Sequence, residues 1–331
     1  PVGSPVIDGV VKQGEQLTAN TSGISDADGL GGYSYQWSRN GVNISGATAS
    51  TYTLVQADVG SRIRVTASYV DGGGTTETLI SAQTTVVADV NDDPVGVPTI
   101  SGDPTQGNVL TADASAISDA DGLGAFNYQW LRGGAVINGA TSSTYTLQQA
   151  DVGTFVSVRV SYSDGGNTVE SITSAQTTAV ANINDAPAGV PVINGSVTQG
   201  NLLTADTSSI SDADGLGVFS YQWLRSGAAI PGAAADTYTL VQADVGAFIS
   251  VRVSYIDGDD TAESVTSPQT AAVANINDVP VGVPVINGNP IQNVQLTIDA
   301  SGISDADGLG AFSYQWLRNG TAISAANTSA Y

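Results

Sequence analysis

The sequence predicts an all-β protein built as a linear array of β-sandwich domains. First, it repeats with a period of 93 residues, so that SDADGLG occurs four times, with its first aspartate at Asp26, Asp119, Asp212 and Asp305. Second, no segment has the periodicity of an amphipathic helix. Third, short runs of alternating apolar and polar residues, separated by turn residues, predict about seven strands in each repeat.

The period sets the expected domain boundaries. Repeats are expected at residues 1–93, 94–186 and 187–279, and residues 280–331 correspond to a truncated fourth copy. In that copy we expect Trp316 to lack half of its core and the sheet to have open edges. Because the sequence begins with proline and has no methionine, we expect it to be a fragment whose targeting signals and anchors lie elsewhere.

In the second repeat the strands are predicted, in order, near 98–101, 108–113, 126–132, 135–138, 143–148, 154–163 and 168–180. The sixth strand alternates between apolar and polar residues, which predicts one buried face. Its inward residues are expected to be Val156, Val158 and Val160, and its outward residues Ser157, Arg159 and Ser161. The residues expected to form the facing layer are Leu110, Ala112, Tyr128 and Trp130.

Composition excludes several functional classes. Thirty-one acidic and nine basic residues give a net charge of -22, which disfavours nucleic acids and anionic membranes and favours cations. The chain has no cysteine and no histidine, so it has no disulfides, no serine-histidine triad and none of the usual zinc sites. No run approaches the roughly 20 apolar residues of a membrane helix, so no membrane insertion is expected in this fragment.

The segment YQWLRGGAVINGATSSTYTLQQADVG, residues 128–153, resembles the centre of an immunoglobulin-like domain, with its buried tryptophan on strand C and its D-x-G corner before strand F. Apolar residues replace the inter-sheet cysteines, so antigen binding of the antibody type is not implied. Over essentially its whole length the array is similar to the tandem immunoglobulin-like or cadherin-like repeats of large bacterial surface adhesins of the RTX type. That resemblance implies immunoglobulin-like β-sandwiches in calcium-stiffened extender regions, exported to the cell surface by type I secretion.

Acidic segments are expected to meet at each repeat junction, because the B–C loop, the F–G loop and the start of strand A share one pole of this topology. The first set comprises Asp89, Asn91, Asp92, Asp119, Asp121 and Asp164. The second comprises Asn182, Asn184, Asp185, Asp212, Asp214 and Asp257. The third comprises Asn275, Asn277, Asp278, Asp305 and Asp307. Calcium takes six to eight oxygen ligands, which several segments together can supply, so we predict Ca²⁺ at the junctions. The linker is similar to the D-x-N-D segment of cadherin junctions, with Asn replacing the first Asp in two of three cases.

Other interpretations of these motifs stay open. Asp26 and Asp28 can instead bond to the backbone of a turn before Gly29, as Asp-Gly pairs commonly do. The aspartates of the recurring QADVG motif are expected to close a turn and so to be structural, namely Asp58, Asp151 and Asp244. The Tyr-Gln-Trp stripe is expected to lie in the core.

The favoured function is a non-enzymatic extender or stalk of a bacterial cell-surface adhesin that supports cell adhesion or biofilm formation. Its partners are the neighbouring repeats of the same chain, with surface glycans or proteins contacted through domains outside the fragment. The alternative is a set of ligand-binding modules for carbohydrate or protein, accessory to a secreted enzyme, because sandwich loops commonly recognise ligands. Catalysis is disfavoured because the same carboxylate pair recurs in every copy, whereas an active site is normally built once.

Overall fold

A computed structural model describes residues 1–331. The chain divides into two compact units, Pro1–Ile183 and Asn184–Tyr331, and each is described separately. Regular structure consists of antiparallel β-strands, and the only helical segments are three short 3₁₀ turns, at Gln56–Asp58, Gln149–Asp151 and Gln242–Asp244. No helix here is long and apolar enough to span a membrane. The all-β prediction is confirmed.

The first unit contains seven strands in each of its two repeats. Those of the first repeat are β1 (Val6–Asp8), β2 (Gln16–Asn20), β3 (Ser34–Arg39), β4 (Val42–Asn43), β5 (Thr51–Thr53), β6 (Ile63–Val70) and β7 (Thr76–Ile80). Those of the second are β8 (Thr99–Ser101), β9 (Val109–Asp113), β10 (Asn127–Arg132), β11 (Ala135–Val136), β12 (Thr144–Thr146), β13 (Val156–Ser163) and β14 (Val169–Thr173).

Each of these repeats pairs a three-stranded sheet with a four-stranded sheet. In the second repeat the strand orders are β8-β9-β12 and β11-β10-β13-β14, and the first repeat has the same arrangement, β1-β2-β5 and β4-β3-β6-β7. Strands A, B and E therefore form one sheet, and strands C′, C, F and G form the other, which is an immunoglobulin-like topology. This order places the B–C and F–G loops at the same end of the sandwich.

The second unit repeats this topology once and then contains a smaller set of strands. Its third repeat comprises β15 (Val192–Asn194), β16 (Leu202–Asp206), β17 (Ser220–Arg225), β18 (Ala228–Ala229), β19 (Thr237–Thr239), β20 (Ile249–Ile256) and β21 (Ala262–Thr266). Residues 280–331 contain β22 (Val285–Asn287), β23 (Thr297–Asp299), β24 (Leu317–Arg318) and β25 (Thr321–Ala322), paired only as β22-β23 and β24-β25. The expected open edges are therefore present.

The core of each complete repeat forms around its tryptophan. Trp130 is fully buried, stacks on Tyr145 at a ring separation of 5.7 Å, and donates its indole N–H to the Ser142 carbonyl at 2.9 Å. Its neighbours in the core include Leu110 and Val158, as the alternation predicts. Burying such a ring is worth about 3 kcal/mol.

Three details differ from the sequence predictions. The last strand of the second repeat ends at Thr173 rather than near 180, because the Ser174 and Thr177 hydroxyls accept the backbone N–H groups of the neighbouring strand and interrupt the ladder. Ser157 is buried on the outer face, where it lies opposite the equally buried Leu131. Trp316 stays only 6% exposed, because the Tyr331 ring lies 5.3 Å from it.

Candidate cation site at the repeat junction

The B–C and F–G loops of the second repeat meet through a glycine. The Gly165 N–H donates to the Asp121 carbonyl at 2.9 Å, and a Cβ at Gly165 would lie 2.4 Å from that oxygen. Only glycine permits this approach. The linker that precedes the second repeat joins the same pole, because the Asp92 N–H bonds to Asp121 Oδ2 and Val95 forms an antiparallel bridge with Ser118. The predicted convergence of three segments is thus present within the first unit.

Asp119 organises the B–C loop. Its Oδ1 accepts the backbone N–H of Asp121 at 2.9 Å. This side-chain-to-backbone bond forms the kind of turn that is the alternative role expected for the SDADGLG aspartates. Its Oδ2 accepts the Tyr162 hydroxyl at 2.5 Å, and burial together with this bond raises the pKa of Tyr162. Both carboxylate oxygens of Asp119 are therefore engaged in holding the loop.

Asp121 connects the two repeats of the first unit. Its Oδ1 accepts the Gln56 side-chain amide at 2.7 Å, and its Oδ2 accepts the Asp92 backbone N–H at 2.7 Å. The Asp92 side chain in turn accepts the Gln13 amide at 2.8 Å. One carboxylate of the second repeat thus receives a donor from the first repeat and another from the linker.

Asp164 supplies an unpartnered oxygen. The residue is 6% exposed, and its Oδ1 accepts the Thr168 N–H at 2.7 Å inside the F–G loop. Its Oδ2 is buried and has no hydrogen-bond partner. A buried carboxylate oxygen without a donor is costly unless a cation or proton compensates it.

Asp89 places a third carboxylate beside the F–G loop of the second repeat. A Cβ added at Gly166 would lie 2.9 Å from Asp89 Oδ2 and 3.4 Å from Asp164 Oδ1, so both side chains flank the same glycine. Desolvation raises the pKa of the Asp89 carboxyl, and the nearby negative charges of Asp121 and Asp164 raise it further. We call Asp89, Asp121 and Asp164 the junction cluster.

Sequence reasoning missed three side chains that hold the first junction. Gln13 and Gln56 bind the linker and the B–C loop, and Glu170 accepts the Asn91 amide at 2.9 Å. Asn91 therefore bonds to strand β14 rather than to the junction cluster. The sequence could have indicated Gln13 and Gln56, because glutamines recur at both positions with the 93-residue period.

The second predicted set is divided between the units. Within the second unit, Asp214 Oδ2 accepts the Asp185 N–H at 2.6 Å, and Asp212 accepts both the Asp214 N–H and the Tyr255 hydroxyl. Asn184 donates to Glu263 at 2.8 Å, and Asp257 Oδ2 is buried without a partner. In the first unit, Asn182 Oδ1 is buried and likewise has no partner.

The third set lies wholly within the second unit. Asp305 Oδ1 accepts the Asp307 N–H at 2.9 Å, which repeats the turn of Asp119. Asp307 Oδ2 accepts the Asp278 N–H at 2.7 Å, and Oδ1 accepts the Gln242 amide at 3.2 Å. Asn275 also donates to Asp307, and these bonds lower the pKa of the Asp307 carboxyl. Asn277 donates to the Asp278 carbonyl at 3.0 Å.

Two further acidic groups lie outside the predicted sets. Carboxylate oxygens of Asp26, Asp71 and Glu77 lie within 4.8 Å of one another at the pole of the first repeat. The second is the single buried carboxylate of Asp151, which accepts hydrogen bonds from Arg132 Nε at 2.7 Å and from the Tyr145 hydroxyl at 2.8 Å. Asp151 is therefore structural, as the QADVG motif predicts.

No protein-family model and no curated protein matches this sequence. Among solved structures, the chain is similar to a Ca²⁺-stabilised adhesin that helps an Antarctic bacterium bind ice, with 13% identity, coverage of 92% of this chain and 83% of that one, and a TM-score of 0.31. It is also similar to a tetra-tandem repeat from the extending region of a large adhesion protein, with 15% identity, coverage of 92% and 87%, and a TM-score of 0.31. A multidomain segment of titin has 14% identity, coverage of 81% and 97%, and a TM-score of 0.25. The strand pairing within the complete repeats defines the immunoglobulin-like fold.

Proposed function

We propose that this chain is a stalk segment of a bacterial cell-surface adhesin and that Ca²⁺ bound at repeat junctions stiffens it. The observation that carries the proposal is the buried Asp164 carboxylate: its Oδ2 has no hydrogen-bond partner, and its Oδ1 flanks Gly166 together with Asp89 Oδ2. Carboxylates gathered in this way repel one another unless a cation joins them. Hard oxygen ligands without histidine or cysteine suit Ca²⁺.

The junction cluster would hold the ion, and its neighbours would position it. Asp89 belongs to the linker, whereas Asp121 and Asp164 belong to two loops of the second repeat. An ion shared by these residues would fasten the linker to the following repeat. Three carboxylates are a small ligand set, which favours the weak affinity of extracellular modules, about 10⁻⁴–10⁻³ M. That range fits an extracellular stalk.

Such an array would contribute length and stiffness. In a linear repeat array each repeat contacts only its neighbours, so the length of such a stalk would grow with the number of repeats. The linkers are short and contain proline, as in Asp93-Pro94, which limits their bending before any ion binds. The stalk would hold an adhesive domain away from the cell surface and so support adhesion and biofilm formation.

Calcium titration of the 331-residue chain tests the proposal. Calorimetry should detect saturable Ca²⁺ binding, and the thermal unfolding midpoint should rise with Ca²⁺ concentration, because a ligand that binds only the folded state stabilises it. Magnesium at the same ionic strength is the control and should bind more weakly. Absence of binding heat together with an unchanged midpoint at 10 mM Ca²⁺ would exclude the proposed function.

A further inference from the structure

A glutamine near the start of each complete repeat lies beside the linker that leaves the same repeat. The three glutamines are Gln13, Gln106 and Gln199. The residue before each one forms a parallel bridge with an alanine at the start of the linker, and the bridged pairs are Lys12 with Ala88, Thr105 with Ala181 and Thr198 with Ala274. Each linker therefore begins as a short parallel strand paired with the repeat that it leaves.

The glutamine side chain continues this pairing after the backbone has turned away. The Ala88 N–H donates to the Val11 carbonyl, and the Gln13 N–H donates to the Ala88 carbonyl, both at 3.0 Å. In a continued parallel ladder the next bond would join the Val90 N–H to the Gln13 main-chain carbonyl. The chain instead turns at Gly14, whose φ is +81°. The Gln13 side-chain Oε1 accepts the Val90 N–H at 3.2 Å, so the side-chain amide takes the place of a peptide group.

The nitrogen of the same amide reaches farther along the linker. Gln13 Nε2 donates to Asp92 Oδ2 at 2.8 Å. The Val90 N–H needs an acceptor and the Asp92 carboxylate needs a donor, so one orientation of the amide satisfies both. Asp89 lies between Ala88 and Val90, which are both bonded to the first repeat. The backbone on either side of Asp89 is therefore fixed to the first repeat.

The other complete repeats hold their linkers in the same way. In the second repeat, Gln106 Oε1 accepts the Ile183 N–H at 3.1 Å. In the third, Gln199 Oε1 accepts the Ile276 N–H at 3.2 Å, and its Nε2 donates to Asp278 Oδ2 at 3.0 Å. Every bond joins a donor and an acceptor of the protein itself, so this attachment needs no metal ion.

We propose that Gln13, Gln106 and Gln199 are positioning residues that hold each linker on the repeat it leaves, with or without Ca²⁺. Asp89 is then carried as part of the first repeat. This inference rests on the proposed function for its consequence: an ion shared by Asp89 and the loops of the second repeat would join one repeat to the next, rather than a loose linker to one repeat. Without calcium, bending would be confined to the chain beyond Asp92.

Hydrogen exchange of the 331-residue chain in chelator, resolved at single amides, tests the attachment. The Val90 amide should be protected in the wild type. Gln13→Ala removes its acceptor, so exchange at Val90 should accelerate by about tenfold or more. Exchange at Ala88 should change by less than about twofold, because its acceptor is the Val11 main-chain carbonyl. Gln16→Ala is the matched control, since Gln16 is an exposed glutamine of the same repeat, and it should leave Val90 protected.

A complementary exchange of side chains distinguishes this contact from a general effect on folding. Gln13→Glu keeps an acceptor for Val90 but sets a second negative charge against the Asp92 carboxylate, so exchange at Val90 should accelerate. Adding Asp92→Asn supplies an amide donor and removes the repulsion. The double variant should return exchange at Val90 to within about threefold of the wild-type rate.

Three results would overturn the inference: rapid exchange of Val90 in the wild-type chain in chelator, equal exchange in the wild type and Gln13→Ala, or no recovery in the double variant. Failure of the proposed function gives a different result, in which calorimetry shows no calcium binding while Val90 stays protected and loses that protection in Gln13→Ala. Calcium binding by a chain whose Val90 is unprotected in chelator would leave the proposed function standing and exclude the attachment.

Discussion

The Gln56 side-chain amide donates a 2.7 Å hydrogen bond to Oδ1 of Asp121, a residue 65 positions later in the next repeat. Gln56 lies in the 3₁₀ turn of the QADVG motif, whose aspartate is buried in its own repeat. One short motif therefore closes its own domain and contacts the next one. The bond recurs in the second unit between Gln242 and Asp307 at 3.2 Å.

Gln56→Ala should loosen the first junction without unfolding either repeat. The substitution removes one hydrogen bond to a carboxylate, which is worth about 1.5 kcal/mol. We expect faster hydrogen exchange at residues 88–94 and weaker calcium binding, with an unchanged circular dichroism spectrum. The control is Gln83→Ala, since Gln83 is exposed. Exchange rates equal to those of the wild type would show that this contact does not hold the junction.

Gly165→Ala should separate the B–C and F–G loops of the second repeat. The new Cβ would lie 2.4 Å from the Asp121 carbonyl, so one loop must move and the Asp164 carboxylate moves with it. Calcium affinity should fall by about tenfold or more, since geometric misplacement weakens a multidentate site. Gly32→Ala is the control, because its Cβ would meet no atom within 4 Å. An unaltered affinity would mean that this loop contact does not set the site.

Asp151→Asn should destabilise the second repeat by about 3 kcal/mol, because it leaves the Arg132 guanidinium without its anionic partner. The measurement is denaturant unfolding followed by tryptophan fluorescence, in which a transition should move to lower denaturant concentration. Asp103→Asn removes an exposed carboxylate of the same repeat and should have little effect. Similar midpoints for the two variants would contradict the structural role of Asp151.

Stability should decline in strongly alkaline solution. Burial, with the hydrogen bond to Asp151, raises the pKa of Tyr145 to about 12. Below about pH 10 the tyrosine is neutral in both the folded and the unfolded states; between about pH 10 and 12 it ionises only when unfolded, so the free energy of unfolding falls with rising pH. Denaturant midpoints from pH 8 to 12 measure this. Tyr145→Phe should flatten the decline for the second repeat, and an unchanged slope would contradict the assignment.

Much of this structure follows from the sequence, and the exceptions have physical causes. The period and the alternation around Trp130 were sufficient to predict the sandwich, because a buried face imposes a spacing of two. The end of strand β14 was not predictable, since it depends on the Ser174 and Thr177 hydroxyls reaching a neighbouring strand.

The acidic segments of the junction were also predictable, because topology alone brings the loops of one pole together. Their individual partners were not. A repeat period identifies equivalent residues, but it does not say that Gln56 of one copy meets Asp121 of the next.

Small-angle X-ray scattering of the 331-residue chain, first in calcium and then after chelation, tests the calcium-stiffened stalk most directly. A calcium-stiffened stalk should have a larger maximum dimension and a narrower distance distribution in calcium, and it should return to a broader ensemble when the ion is removed. Superimposable scattering curves under the two conditions, at a calcium concentration that saturates binding, would contradict it.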